Sequence, residues 1–373
     1  MGKPCSSPVG NNARSKGYRT DTRNILAAHY KSKAQTARFC GHRIMAIEGM
    51  TGRMTPNELK ELYMARVDPH LTHGCEISPD SDDVHVKQLS KVQLQFIRQM
   101  LNLHSRSAIA PLFTETGIIP LRVRRFLLVL SHLIYFLGLA KEHFARAALD
   151  SSIELSARNK TSWAKDLIHA ATRLPFHCPA FVLTHSTSIE DVEDYGKTVK
   201  ILLQEWFQVS INQNEKLYLL YGRLEPQKDK PPAYVASKMR HYLTMVKTQT
   251  HREALTSLLL STHHLALEVL RYANHAHQPV ARSDRLCRFC KVEVETPEHA
   301  LVTCTSSSDL TELRSAFLAK LFHDAPHLAN LMAQLSNTEF LKSMVYSRPT
   351  IALVAKFAFN VLELFYAVPV LRP

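Results

Sequence analysis

Residues 82–103 read DDVHVKQLSKVQLQFIRQMLNL, and their apolar residues recur at steps of three and four. That spacing is the period of an α-helix, because residues three and four apart share one helix face. Asp82 or Asp83 is a typical N-cap, since its carboxylate can accept a hydrogen bond from an N–H group of the first turn. The stretch therefore predicts an amphipathic helix that buries Leu89, Val92, Phe96, Met100 and Leu103.

Helix signals continue on both sides of this stretch. Capping boxes, in which a short polar residue and an acid three residues later satisfy each other's backbone N–H groups, mark several predicted starts. Predicted helices begin at Thr55-Pro56-Asn57-Glu58 and stop before Pro69, run over 162–174, 188–213 and 232–246, and follow the boxes Asp309-x-x-Glu312 and Ser336-x-x-Glu339. Only 11 of the 373 residues are glycine, below the usual ~7%, whereas the turns of sheets use glycine. The predicted fold class is all-α, a body of many helices.

Two apolar segments resemble membrane spans but are predicted to be packing helices. Residues 126–139 are too short, because a span needs ~20 residues. Residues 350–371 are long enough, but Lys356, Asn360 and Glu363 form one polar stripe at helical spacing. The seven cysteines are odd in number and mostly scattered, which favours a reducing compartment over a secreted disulfide scaffold. An intracellular protein without membrane contact is expected.

Basic residues concentrate near the N-terminus. The formal net charge is +13, and residues 1–54 hold ten basic side chains against two acidic ones, a net +8. The ten are Lys3, Arg14, Lys16, Arg19, Arg23, Lys31, Lys33, Arg38, Arg43 and Arg53. Such a field attracts polyanions, so the segment predicts contact with RNA or DNA, with Tyr18, Tyr30 and Phe39 as candidates for base stacking. The alternative is a solvated tail.

A second basic cluster lies in the first turns of the helix predicted after Pro120. Arg122, Arg124 and Arg125 oppose the helix dipole there, because a helix start normally favours acids. We therefore expect something anionic beside them, and we assign all three as candidate nucleic-acid contacts. The alternative is that they are surface arginines on a buried helix.

Residues 287–304 carry the strongest chemical motif, CRFCKVEVETPEHALVTC, a C-x2-C-x8-H-x4-C pattern. Three thiolates and one imidazole are a tetrahedral zinc set. The predicted ligands are Cys287, Cys290, His299 and Cys304. With four protein ligands the site is closed to water, so one structural Zn²⁺ is expected rather than a catalytic ion. Arg285, Arg288 and Lys291 lie alongside; they would offset the negative charge of the site and are further candidate nucleic-acid contacts.

The zinc motif also predicts its local backbone. Thr296 and Pro297 are typical of a helix start, which places His299 in the first turn. Five residues along an α-helix turn through about 500°, so His299 and Cys304 would not share a face if the helix continued. The helix is therefore expected to loosen at Thr303–Cys304. The other histidine pairs, His263-His264 and His275-x-His277, lack further metal ligands and are predicted to be helix surface.

Three stretches together resemble the C-terminal part of LINE-type (non-LTR) retrotransposon reverse transcriptases. Residues 62–76, LYMARVDPHLTHGCE, are similar to the segment beyond the palm that usually carries L-T-Y-G-x-E, with His73 in place of the tyrosine. Residues 92–98 and 112–122 are similar to V-Q-x-x-F-x-R and E-x-G-x-x-P-L-x-x-R. The zinc segment resembles the knuckle that closes such polyproteins.

The resemblance implies a helical thumb that grips template and primer, a CCHC knuckle that helps to hold RNA or DNA, and a nuclear location. It implies this division of the chain: 1–50 basic N-terminal arm, 51–175 thumb-like helical domain, 176–249 helical connector, 250–307 zinc-knuckle region and 308–373 C-terminal helical region.

Catalytic residues of the polymerase are not recognisable. The Y/F-x-D-D turn that holds its metal ions has no counterpart, since Asp82-Asp83 follows no aromatic residue or strand and is predicted to cap a helix. No endonuclease or RNase H carboxylate set is recognisable either. The expected function is a non-enzymatic remnant of the reverse transcriptase that binds zinc and RNA or DNA. The alternatives are a zinc-stapled helical protein-interaction module, and a pseudogene product without activity.

Overall fold

A computed structural model describes residues 14–15, 18–19, 26–223, 225–227, 230–233, 235, 238–273 and 278–372. The predicted all-α class is confirmed, because helices make up most of the described chain. The α-helices are α1 (Ala27–Thr51), α2 (Pro56–Leu62), α3 (Asp68–Thr72), α4 (Asp83–Met100), α5 (Ile109–Thr116), α6 (Leu121–Leu137), α7 (Phe144–Ala157), α8 (Trp163–Thr172), α9 (Ile189–Asn212), α10 (His241–Met245), α11 (Gln249–Leu259), α12 (Ala266–Val269), α13 (Ser308–Asp324), α14 (His327–Gln334), α15 (Asn337–Tyr346) and α16 (Ile351–Tyr366).

Short elements of other types complete the described structure. Two antiparallel strand pairs are β1 (Arg14–Ser15) with β2 (Tyr18–Arg19), and β3 (Glu225–Gln227) with β4 (Lys230–Ala233). Two 3-10 helices cover Glu215–Leu220 and Arg282–Asp284, and two π-helices cover Tyr63–Val67 and His299–Thr303. None of the described helices has both the length and the hydropathy that a membrane crossing requires.

The described residues form two compact units that are discontinuous in sequence. Unit 1 draws on 1–53, 61–96 and 119–203, and unit 2 on 54–60, 97–118 and 204–373. The five segments predicted from the sequence are contiguous, so the division of the chain by packing differs from them.

In unit 1, α1 and α6 pack against α3, and α7 packs against α6 and α8. The buried amide of Gln93 joins two parts of this core: Nε2 donates to the Tyr63 hydroxyl and to the Ile119 carbonyl, each at 3.0 Å, while Oε1 accepts from the Leu121 N–H at 2.8 Å. Gln93 thereby fixes the chain where α6 begins. Much of the predicted arm is helical, since α1 spans Ala27–Thr51 and buries Tyr30.

In unit 2, α16 is the central helix and contacts α10, α11, α13 and α15. Phe357 of α16 stacks on Phe317 of α13 with ring centroids 3.9 Å apart. The predicted amphipathic pattern is confirmed, because Lys356 and Glu363 are exposed whereas Val361 and Phe365 are fully buried. α16 is therefore a packing helix.

Several predicted helix starts are confirmed by their capping hydrogen bonds. Thr55 and Glu58 form the reciprocal box, in which the Thr55 N–H donates to the Glu58 carboxylate at 2.6 Å and the Glu58 N–H to the Thr55 hydroxyl at 3.3 Å. Ser188 and Asp191 form the same box. Ser162, Ser336 and Asp82 accept hydrogen bonds at the starts of α8, α15 and α4. These caps could be predicted from the sequence, because the capping residue and the N–H group that it accepts from lie within one helical turn.

Three helix boundaries were predicted wrongly. The helix expected to stop before Pro69 continues as the π-helix and α3, because Pro69 falls in the first turn of α3, where its missing N–H is not needed. The helix expected from Pro232 begins at His241, since Pro232 lies in β4; proline is tolerated in such an edge strand. The cap of α13 is Ser307, two residues before the expected Asp309.

Candidate metal centre and predicted contact residues

The segment that carries the metal-ligand motif begins as a tight hairpin. Leu286 and Val294 form an antiparallel bridge, and the Cys287 N–H donates to the Glu293 carbonyl at 2.7 Å. The Lys291 N–H donates to the Cys287 carbonyl at 2.9 Å, and Lys291 has a left-handed backbone with φ of 60°. This turn brings Cys287 and Cys290 to one side of the hairpin.

The four predicted ligands converge. The ligand atoms of Cys287, Cys290, His299 and Cys304 all lie within 4.8 Å of one another, and the cluster could hold a metal ion. Cys287 Sγ is 3.8 Å from Cys304 Sγ, and Cys290 Sγ is 3.5 Å from His299 Nε2. A tetrahedral zinc ion with Zn–S of about 2.3 Å and Zn–N of about 2.0 Å requires sulfur–sulfur edges of about 3.8 Å and sulfur–nitrogen edges of about 3.5 Å. The two distances therefore match a zinc tetrahedron.

A π-helix brings His299 and Cys304 to nearly the same face, although they are five residues apart. The Cys304 N–H donates to the His299 carbonyl at 2.9 Å, five residues back. A π-helix closes its hydrogen bonds over five residues instead of four, so residues five apart return to nearly the same face. The expectation that the helix loosens at Thr303–Cys304 is thus corrected: it widens over all of His299–Thr303, and the chain becomes extended at Cys304.

Hydrogen bonds orient the histidine. The His299 N–H donates to the Thr296 hydroxyl at 3.1 Å, which confirms the predicted N-cap. On the side of the ring away from Cys290, Nδ1 lies 3.1 Å from the Thr303 hydroxyl. A partner on the second ring nitrogen fixes the ring orientation of a metal ligand. Burial lowers the pKa of His299, which favours the neutral imidazole that binds metals.

The thiols differ in their ionisation. Burial raises the pKa of Cys287 to about 12, and the sulfurs of Cys304 and Cys290 add to the rise. Burial acts in the same direction on Cys290, but N–H groups of Glu293 and Val292 outweigh it and lower its pKa. Metal ligands must be deprotonated, so occupation of the cluster would release protons.

Two of the arginines beside the motif are internal. Arg288 donates to the Glu295 carboxylate at 2.7 Å, to the Val368 carbonyl at 2.6 Å and to the carbonyls of His264 and Phe365. Glu295 in turn accepts from the Ala266 N–H at 2.6 Å. The assignment of Arg288 as a nucleic-acid contact is therefore corrected, because its side chain is 3% exposed and donates hydrogen bonds to four partners inside the protein.

The assignment of Arg285 as a nucleic-acid contact is corrected for the same reason. Its guanidinium donates to the carbonyls of Val280 and Leu267 at 2.8 to 3.0 Å and is buried. Lys291 is exposed and stays a candidate contact. Both arginines thus anchor the hairpin to the rest of unit 2. Of the three contact residues predicted beside the motif, Lys291 is the one that faces solvent.

The arginines of α6 have protein partners. Arg125 is 3% exposed and donates to both oxygens of Asp80 at 2.6 and 2.8 Å, to the Leu71 carbonyl at 2.7 Å and to the Tyr30 hydroxyl at 3.0 Å. Something anionic was predicted here, and for Arg125 it is an aspartate of the same unit. Arg125 and Tyr30 are therefore corrected from nucleic-acid contacts to parts of a buried ion pair.

Arg124 and Arg122 are more accessible but are also paired. Arg124 lies 2.6 Å from Asp68, and Arg122 lies 2.6 Å from Asp83. Their side chains are 29% and 16% exposed. Binding of a phosphate by either arginine would compete with its aspartate, so both are weakened as candidates.

The described part of the basic arm exposes most of its cations. Lys31 and Arg38 are exposed and lie seven residues apart on one line of α1, and Arg43 is exposed as well. Phe39 is 60% exposed, and the Arg43 guanidinium lies 5.3 Å from its ring centroid. Lys3, Lys16 and Arg23 of the predicted arm lie outside the described residues.

A buried charged network in unit 2 was not predicted from the sequence. Arg223 donates to Glu115 at 2.8 Å and to Glu225 at 3.2 Å, Arg240 lies 3.1 Å from Glu225, and His241 Nδ1 lies 3.2 Å from Glu225. The arginines and glutamates are almost fully buried. Nothing in the local sequence marks these residues, because each partner comes from a different element.

The histidine pair at 263–264 was also interpreted wrongly. Both residues lie between α11 and α12, and His263 is buried. His275 and His277 lie outside the described residues.

Comparisons with known proteins found no matching family, no matching curated protein and no matching solved structure. The resemblance to reverse transcriptases remains a prediction from the quoted motifs.

Proposed function

We propose that the chain binds one structural Zn²⁺ through Cys287, Cys290, His299 and Cys304. The match between the two measured ligand distances and the edges of a zinc tetrahedron carries this proposal. Three thiolates and one imidazole complete the coordination, so the ion has no position for a substrate water. The ion staples the hairpin of residues 285–295 to the π-helix that follows it.

We propose further that the zinc-stapled chain binds single-stranded RNA or DNA without catalysing a reaction, as a C-terminal remnant of a LINE-type reverse transcriptase would. Support comes from the exposed cations Lys31, Arg38 and Arg43 on α1 and from the exposed ring of Phe39 beside Arg43. Cations along a backbone track combined with an aromatic platform suit a single strand. The corrected arginines of α6 and of the hairpin leave α1 as the main contact.

A non-catalytic function agrees with the roles of the adjacent aspartates. Asp82 accepts the Val84 N–H at 2.8 Å, and Asp83 pairs with Arg122 at 2.6 Å and with Arg173 at 3.6 Å. Both carboxylates therefore have structural partners at the start of α4, which supports the interpretation of this pair as a helix cap.

The experiment is a salt titration of binding to a fluorescent 20-nucleotide single strand, measured by anisotropy on the full chain. Removal of Lys31, Arg38 and Arg43 by substitution with glutamine deletes up to three phosphate contacts. The slope of log K against log salt should then become shallower by about 2 for a single strand.

The matched control replaces Lys141, Lys160 and Lys200, which are exposed in the same unit, with glutamine. It removes the same charge and should leave the slope almost unchanged. Equal effects of the two triple variants would mean that only net charge matters. If neither RNA nor DNA binds while zinc is retained, the protein-interaction module becomes the better hypothesis.

A further inference from the structure

Unit 2 contains an open cavity of about 1090 Å³ away from the metal-ligand cluster. Its walls come from residues 104–108, from the end of α9 and the 3-10 helix after it, and from residues 260–272. Loops supply most of this lining, and no residue in it belongs to the predicted nucleic-acid contacts. The cavity is large enough for a nucleotide-sized molecule.

Two buried donors that line the cavity have no hydrogen-bond partner in the described structure: His263 Nε2 and Arg271 Nε. The Leu265 N–H donates to His263 Nδ1 at 3.3 Å, so Nε2 must carry the ring proton. Burial lowers the pKa of His263 to about 3, which agrees with a neutral ring. A buried N–H without an acceptor is costly, so an acceptor oxygen supplied by a ligand would stabilise whichever of the two donors it reaches.

The charge of the lining favours an anion. Glu268 pairs with both Lys216 at 3.0 Å and Arg271 at 2.8 Å, so the two cations exceed this carboxylate by one charge and a phosphate would share them with Glu268. Arg106 is a further cation, and Glu215 a further acid, in the same lining. The lining therefore carries three cations against two carboxylates.

An aromatic face lies among these cations. Tyr272 is 57% exposed, and Lys216 Nζ lies 4.7 Å from its ring centroid. A base can stack on an exposed tyrosine while its phosphate meets a nearby ammonium group. An ammonium group and an aromatic ring thus lie side by side in one wall of the cavity.

We propose that this cavity binds a nucleotide, free or as one unit of a single strand, with the phosphate at Lys216, Arg271 and His263 and the base on Tyr272. The inference rests on the proposed nucleic-acid binding where the nucleotide belongs to a strand. It adds a recognition pocket for one base to the electrostatic contact on α1.

The experiment measures binding of fluorescently labelled AMP and of a labelled six-nucleotide RNA to the full zinc-loaded chain, with Tyr272→Leu and Lys216→Gln as variants. Each variant should weaken the bound probe about 10-fold or more, the scale of one lost stacking or charged contact. Tyr135→Leu is the matched control, because Tyr135 is also 57% exposed but lies in unit 1. It should leave affinity unchanged.

A second readout reports on the pocket directly. In a chain labelled with ¹⁵N-histidine, the Nε2 resonance of His263 should shift when AMP or the RNA is added, and this shift should be absent with adenosine at the same concentration. Binding that Tyr272→Leu and Lys216→Gln weaken, for both probes or for one alone, supports the proposal and identifies the source of the nucleotide.

Absence of binding by both probes, or affinities equal to the parent in Tyr272→Leu and Lys216→Gln, overturns the proposal. The two proposals fail separately. If the α1 variant changes the salt slope for the 20-nucleotide strand but the pocket variants change nothing, the pocket is wrong and nucleic-acid binding stands. If AMP binds in the pocket but no strand binds, the pocket proposal stands and the proposed binding of a nucleic-acid strand is wrong.

Discussion

The metal-ligand cluster and the buried charged network of unit 2 perform similar work by different routes. The cluster gathers four side chains from residues 287–304. The network joins Glu115, Arg223, Glu225 and Arg240, which come from separate elements. The cluster ties neighbouring chain segments together and the network ties distant ones, but only the cluster could be predicted from the sequence.

The difference shows that a polar centre can be predicted from sequence when its residues are close together in the chain and of chemically distinctive types. Three cysteines and one histidine at knuckle spacing are typical of a metal site. Arginine and glutamate are common surface residues, so their burial depends on which elements pack over them. A buried charge that loses its partner is destabilising, and each network member therefore matters as much as a metal ligand does to its own site.

The largest expected effect is loss of the zinc staple. Cys290→Ser removes one thiolate, and structural zinc binding is worth about 10–16 kcal/mol in small zinc domains. We expect the variant to lose stoichiometric zinc by native mass spectrometry and to be cleaved by protease within residues 285–304. α12 should loosen with it, because Glu295 and Arg285 hold Ala266 and Leu267.

Cys178→Ser is the control, since Cys178 is a half-buried cysteine of unit 1. It should keep one zinc per chain. Unchanged zinc affinity in Cys290→Ser would refute the ligand assignment.

The next effect tests the charged network. Arg223→Met leaves Glu115 and Glu225 with Arg240 as their remaining guanidinium partner, and breaking a buried pair costs about 3–5 kcal/mol. Denaturant unfolding should report a loss of this size in the free energy of unfolding. Arg158→Met removes an exposed arginine that lies 3.8 Å from Glu154, and its cost should stay within about 0.5 kcal/mol. Equal costs would mean that the network contributes no more than a surface pair.

The smallest expected effect is the loss of folding stability at acidic pH. Burial raises the pKa of Glu225, but the hydrogen bond to His241 and the charges of Arg223 and Arg240 outweigh it and lower the pKa to about 2. The lowered pKa stabilises the fold above the ordinary pKa of 4.5, and this contribution is lost as the pH falls toward 2. The total is about 3 kcal/mol, at 1.36 kcal/mol per pKa unit.

The measurement compares Glu225→Gln with the parent chain from pH 6 to pH 2.5. The difference in free energy of unfolding should shrink through that range as Glu225 becomes protonated in the unfolded state of the parent. Loss of zinc in acid affects both chains and cancels. A difference that does not change with pH would contradict the lowered pKa.

Particular residues show where prediction from sequence succeeded and where it could not. The caps at Thr55, Ser188 and Ser336 were predicted because each contact lies within one turn of helix. Pro232 was assigned to a helix start, although it belongs to β4, because the signal that proline gives at a helix start is the same as at an edge strand. The pairing of β3 with β4, not the residue type, decides between them.

The candidate site divides in the same way. The four candidate metal ligands were predicted from their spacing, and the structure brings them together. The π-helix that places His299 near Cys304 was not predicted, because periodicity was compared with that of an α-helix. An anion from solvent or a ligand was expected beside Arg125, and the structure places an internal aspartate there. That this is Asp80 depends on the packing of residues 45 positions apart.

The sequence by itself determined the helical class, the caps and the metal-ligand set, because these depend on residues within a few positions of one another. Only the tertiary structure decided which cations face water and which are enclosed. It placed Arg125, Arg288 and Arg223 against internal acceptors and left Lys31 and Arg38 exposed on α1. The physical reason is that the sequence records a charge, whereas burial, and with it the need for a partner, is set by what packs around that charge.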